Sequence, residues 1–125
     1  MKALLILGAL LMASAVMLGA FGAHGLKTRL TSDMMQVYQT GVEYHFYHAL
    51  GIVLIGVIAG FYPHAAGVHW AGWIMLLGVL LFSGSLYVLS LSGIRWLGAI
   101  TPFGGLAFIV AWLVLAYSLY QHSSH

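Results

Sequence analysis

The chain has 125 residues, of which 62% are hydrophobic and 5% charged, and its mean hydropathy is +1.02. Four Lys or Arg and two Asp or Glu are too few to coat a water-soluble globule, whose charged share is about 25%, so lipid is the solvent for most of this surface. A formal charge of +2 with no basic, aromatic-rich patch gives nucleic-acid binding no support, and the lack of Cys removes disulfides, thiolate nucleophiles and Cys-based metal sites together.

A membrane helix needs about 20 apolar residues to cross about 30 Å of hydrocarbon. The first segment that qualifies runs from about Ala3 to Ala23. Its opening "MK", apolar run and "ASA" (residues 13–15) imitate a secretory signal. The apolar run continues two turns past that point, so it reads as a retained helix. Residues 31–42 come next: Thr31 and Ser32 are good helix starters and Asp33 suits a first turn. Met34, Val37, Tyr38 and Gly41 share one face, which predicts a short amphipathic interfacial helix feeding the second span.

The second span covers about Gly41 to Tyr62, the third about Trp70 to Leu91, and the fourth about Leu97 to Tyr120. Short connections predict neighbours that alternate in direction. The expected fold is an all-α integral membrane protein, an antiparallel four-helix bundle forming one domain over residues 1–125. Before the fourth span, "ITPFGG" is punctuation. Thr101 is a candidate N-cap and Pro102 suits the first helical turn. The span is then either one helix kinked at Pro102 or a helix starting there after a separate short piece. Gly104 and Gly105 would let another segment or a ligand come close.

Small residues recur four apart at Ala15, Gly19 and Ala23, at Gly56 and Gly60, and at Ala107 and Ala111. Such stripes let helix backbones approach, either within one subunit or across a homo-oligomer interface. Lys27, Arg29 and Arg95 fall in the first and third connections, against Lys2 on the other side. That asymmetry favours a cytoplasmic location for those connections, with both termini outside. Trp70, Trp73, Trp96, Tyr62 and Tyr120 fall at predicted boundaries as an aromatic belt.

The chemistry-bearing residues gather at one end. "EYHFYHAL" (residues 43–50) puts Glu43, Tyr44, His45 and His48 at the mouth of the second span. His24, Ser83, Ser85, Tyr87 and Thr101 reach a similar level from the other segments. These groups form no file across the bilayer, which argues against a proton wire or channel. Tyr44 and His48 share a helix face, whereas Glu43 points away from both imidazoles. The Glu-x-x-His pair of a di-iron bundle and His-Glu-x-x-His are both absent. No metal, haem or other cofactor is therefore expected. His64 and His69 read as loop residues, and His122 and His125 as tail residues open to adventitious metal. The cluster reads either as hydrogen-bonding glue between helices or as a polar pocket comprising His24, Glu43, Tyr44, His48, Ser83, Ser85, Tyr87 and Thr101. Such a pocket would hold a membrane lipid, a quinone or a partner segment in a binding or structural protein. An intramembrane enzyme with His48 as base ranks last, because no activated nucleophile or orienting carboxylate shares its face. The alternative is a small oligomeric transporter of a solute or ion.

Four strings carry a family resemblance: "GAFGAHGL" (19–26), "QTGVEYHFYHAL" (39–50), "FSGSLYVLSLSG" (82–93) and "LGAITPFGGLAF" (97–108). In this order they resemble the domain-of-unknown-function 423 family, small YgdD-like bacterial inner-membrane proteins related to eukaryotic transmembrane protein 256. His24, Tyr44, Ser83, Gly84, Ser85, Tyr87, Thr101 and Pro102 match motif positions. His45 departs from the pattern, where Gln is expected, which favours His48 as the functional imidazole. The resemblance implies a multi-pass inner-membrane protein and no particular reaction.

Overall fold

The computed structural model describes residues 2–123, so His125 lies outside it. Four helices long and apolar enough to cross a membrane make up the described chain. Helix α1 comprises Lys2–Phe21 and a closing π-helical turn, Gly22–Leu26. Helix α2 is Ser32–Phe61. Helix α3 runs from Ala66 to Ser92, with a π-helical turn, Val79–Ser83, set into its middle. Helix α4 is Thr101–Ser123, preceded by a 3-10 turn, Arg95–Ala99.

The ends of these helices follow from local chemistry. Thr31 has an extended backbone (φ −63°, ψ 162°) and its Oγ1 accepts from the Met34 N–H at 3.2 Å, satisfying one donor of the first turn. Helix α2 stops at Tyr62, directly before Pro63, which cannot continue the ladder. Gly93 closes α3 in the left-handed region at φ 74°, its N–H bonding the Leu89 carbonyl at 2.8 Å. A side chain would be strained there.

The residues read as a short interfacial helix are helical, and they run without a break into the second span. The resulting 30-residue helix is about 45 Å long, against about 30 Å of hydrocarbon. Its first turns are exposed on one side, at Asp33, Gln36, Gln39 and Thr40, and meet the bundle on the other: Tyr38 is 1% exposed and its hydroxyl donates to the Leu18 carbonyl of α1 at 2.5 Å. We expect Tyr38→Phe to cost about 1 kcal/mol, the worth of one interhelical hydrogen bond in a bilayer. Denaturant titration in mixed micelles would measure it, and an unchanged midpoint would mean that the bond contributes nothing.

At the fourth span the chain takes the second of the two expected forms. The 3-10 turn has no buried residue, and α4 proper starts at Thr101. Thr101 is not used as a cap, because its hydroxyl bonds across to α3.

Helix α1 packs chiefly on α2 and α4 chiefly on α3, while α2 and α3 form the central pair. One apolar core, containing Leu4, Ile52, Ile55, Val68, Met75 and Ala111 among others, fills the end of the bundle that holds the termini. Lipid supplies no hydrophobic drive for this packing, so close contact must. Ala15 and Ala111 are fully buried, and Gly56 is held against Leu5. Trp70, Trp96 and Tyr120 face outward. Thr31, Asp33, Gly93 and Arg95 line one groove, which puts the first and third connections side by side.

Candidate functional site

The other half of the bundle, from the middle of the helices toward the first and third connections, is held by polar groups, and their protons can be assigned one by one. His45, 4% exposed, lies between α1 and α3. The Ser14 hydroxyl donates to the Leu11 carbonyl at 2.8 Å, which leaves its oxygen to accept from His45 Nε2 at 3.2 Å. With its proton on Nε2, the ring accepts the Tyr87 hydroxyl at Nδ1, 2.8 Å away. The chain Tyr87 to His45 to Ser14 to Leu11 is thereby satisfied at every step and ties three helices together.

Two further links join α3 to its neighbours. Ser83 donates to the Gly41 carbonyl at 2.7 Å. Ser85 donates to the Phe82 carbonyl at 2.9 Å, so the Thr101 hydroxyl supplies the proton of the 2.6 Å Ser85–Thr101 bond. Both serines stand at the end of the π-helical turn Val79–Ser83 or just beyond it. The hydroxyls of Ser83, Ser85 and Thr101 are all committed to structural bonds, and none of these three is presented to an imidazole as an activated nucleophile would be.

His48 differs. Its Nδ1–H donates to the Tyr44 carbonyl one turn back, at 2.9 Å, and its ring lies flat on Phe108 of α4, centroids 3.5 Å apart and planes 7° apart. Tyr44 is nearly parallel to both, at 12° and 19°. Of the two buried imidazoles, only His48 has a ring nitrogen to spare: Nε2 has no partner among the described residues. It lines a cavity of about 580 Å³ between α2, α3 and α4, together with Tyr44, Phe82, Pro102, Gly105, Phe108 and Trp112. Exposed Leu106 and Ile109 complete the wall, so the cavity opens on the lipid-facing surface. Its volume falls within the roughly 300–1,000 Å³ of small-molecule sites.

The eight residues read as one pocket thus fall into three groups. Ser83, Ser85, Tyr87 and Thr101 lock helices together, Tyr44 and His48 line the cavity, and His24 and Glu43 are exposed. Glu43 borders a separate groove with Gly22, Tyr38 and Gln39, and has no ion-pair partner among the described residues. Among the described residues no three of His, Asp and Glu come together to hold a metal ion. The two glycines after Pro102 divide their tasks: Gly104 meets the α3 backbone at Phe82, and Gly105 lines the cavity.

Sequence reasoning missed Ser14, Phe108 and Trp112. Ser14 is an isolated hydroxyl in an oily run. Phe108 and Trp112 look like ordinary lipid-facing residues, although their four-residue spacing puts both on the α4 face that meets His48.

Comparison with known proteins agrees with this architecture. The sequence pattern of the family described as "Protein of unknown function (DUF423)" matches residues 18–105. The chain is 52% identical to the UPF0382 membrane protein SH2409 of Staphylococcus haemolyticus, over 97% of its own length and 98% of that protein's. It is 50% identical to the UPF0382 membrane protein YwdK of Bacillus subtilis, over 92% and 94% of the two lengths. No solved structure matches. With a family pattern covering most of its length, and relatives aligned nearly end to end, the chain belongs to the DUF423 family of multi-pass membrane proteins.

Proposed function

We propose that this protein is a binding protein rather than an enzyme, and that its lipid-side cavity takes up an amphiphilic molecule from the bilayer. The observation that carries this reading is the unpartnered Nε2 of buried His48 in an otherwise aromatic cavity. Nε2 faces a cavity open to hydrocarbon rather than water, where a polar atom without a partner costs free energy and a ligand that supplies the partner recovers it. The other buried polar groups at this end already satisfy one another, which leaves them the task of holding the cavity's walls in register. Three cations in the first and third connections, against Lys2 at the other end, support a reading in which the cavity end faces the cytoplasm of a bacterial inner membrane and both termini lie outside.

Native mass spectrometry of protein released from its own membranes tests the reading. Wild type is expected to carry a bound mass that His48→Ala loses. Because His48 also stacks on Phe108, Gly105→Leu provides a second variant. The Cβ of residue 105 would meet the Phe82 ring at an ordinary 3.7 Å, so a larger side chain takes up cavity space while His48 and Phe108 keep their own side chains. A bare wild-type protein, or a bound mass kept in both variants, would rule the cavity out as the site.

A further inference from the structure

The geometry points to a ligand of a particular class for this cavity, an inference that rests on the binding reading above: a flat ring carrying a hydroxyl donor, as in a hydroquinone or phenol with an apolar tail. The first observation is the direction of the His48 proton. A carbonyl only accepts, so the 2.9 Å bond to Tyr44 fixes a proton on Nδ1. The neutral ring then offers Nε2 to the cavity as an acceptor. At Nε2 a guest with carbonyl oxygens alone, such as a quinone, would set lone pair against lone pair, and its only donors on these walls would be the Tyr44 hydroxyl and the Trp112 indole N–H. A guest with a hydroxyl completes the bond.

The second observation is the shape of the walls. Tyr44, His48 and Phe108 lie within 19° of one another. Phe82 is set at 39° to Tyr44, and Trp112 at 54° to His48. Near-parallel rings favour a further flat ring by offset stacking or edge contact. The third is the cavity's extent along α4. From Pro102 to Trp112 is about 15 Å at the helical rise, and exposed Leu106 and Ile109 flank the slot. A tail continuing from the ring would lie against apolar side chains and leave toward lipid. A phospholipid head group fits less well, because no Lys or Arg lines the cavity to meet its phosphate.

The experiment uses full-length protein in lipid nanodiscs under anaerobic conditions. Three probes are compared: a decyl-substituted benzohydroquinone, the matching benzoquinone, and the dimethyl ether of the hydroquinone, which keeps the ring and loses the donors. Binding is read as partition into loaded nanodiscs over empty ones. The hydroquinone is expected to bind about fivefold or more tighter than either other probe, the difference one unmet buried hydrogen bond makes. His48→Phe, which keeps a ring on Phe108 and removes the acceptor, is expected to erase that preference while leaving the ether's binding in place. Equal binding of all three probes, or tighter binding of the quinone, overturns the hydroxyl-donor assignment and leaves the cavity a binding site. Retention of the hydroquinone preference in His48→Phe overturns the role of Nε2. Failure of every probe to bind wild type overturns the flat-ring class, and native mass spectrometry then decides separately whether the cavity holds anything.

Discussion

Gly104→Ala is expected to destabilise the bundle by about 2–3 kcal/mol, whereas Gly105→Ala, one position on, is expected to be neutral or stabilising by up to about 1 kcal/mol. A Cβ on residue 104 would sit 2.7 Å from the Cα of Phe82, and backbone cannot swing aside as a side-chain tip can. Helix α4 must then move off α3 beside the π-helical turn, opening the contact of Gly78 with Phe108 and loosening the ring on which His48 stacks. At 105 the nearest atoms belong to the Phe82 ring, at 3.7 Å and 3.8 Å, so Ala's better helix propensity is what remains. Unfolding of both variants in mixed micelles compares the two directly. A Gly104→Ala protein as stable as wild type would mean that the crossing of α3 and α4 is looser than described.

The second large effect is expected at His45. His45→Leu should lose about 2 kcal/mol, because it removes two bonds at once and leaves the Ser14 oxygen and the Tyr87 hydroxyl unmet. His45→Gln should lose less than about 1 kcal/mol, since an amide also has a donor and an acceptor to offer the same two partners. This explains physically why His can stand where the family resemblance expects Gln: the position requires one group of each kind, not an imidazole. A double-mutant cycle with Tyr87→Phe should give a coupling of about 0.6–1.7 kcal/mol, the range for polar pairs between membrane helices. A cycle that closes to zero would show that the two side chains act independently.

These outcomes bear on what was legible in the sequence. The four spans were, because a run of twenty apolar residues has one common explanation. So was the start of α2, since Thr31 caps it through the expected contact. The polar end was legible as a level, but its division into links and cavity was not. Whether Ser85 and Tyr87 turn inward depends on the helix register after Val79–Ser83, and "VLLFS" carries no Gly or Pro to announce a π-helical turn. His45 departs from the family pattern, yet it is the hub of the buried chain. The setting of His48 depends on Phe108 and Trp112, aromatic residues that read as lipid-facing in an apolar span. Exposed His24 and Glu43 share the level of the others, and depth along a helix is countable from sequence, while the direction a side chain takes around it is less so.

The pairing of α1 with α2 and of α3 with α4 also bears on how the protein is made. Each half is a helical hairpin whose partners are neighbours in the chain, so each can close soon after its second helix enters the bilayer. The buried links between the halves, Ser83 to Gly41 and Tyr87 to His45, are formed only once α3 has been synthesised. Assembly would then proceed as the docking of two preformed hairpins. The cavity, walled by α2 from the first and by α3 and α4 from the second, would come into being only at that last step.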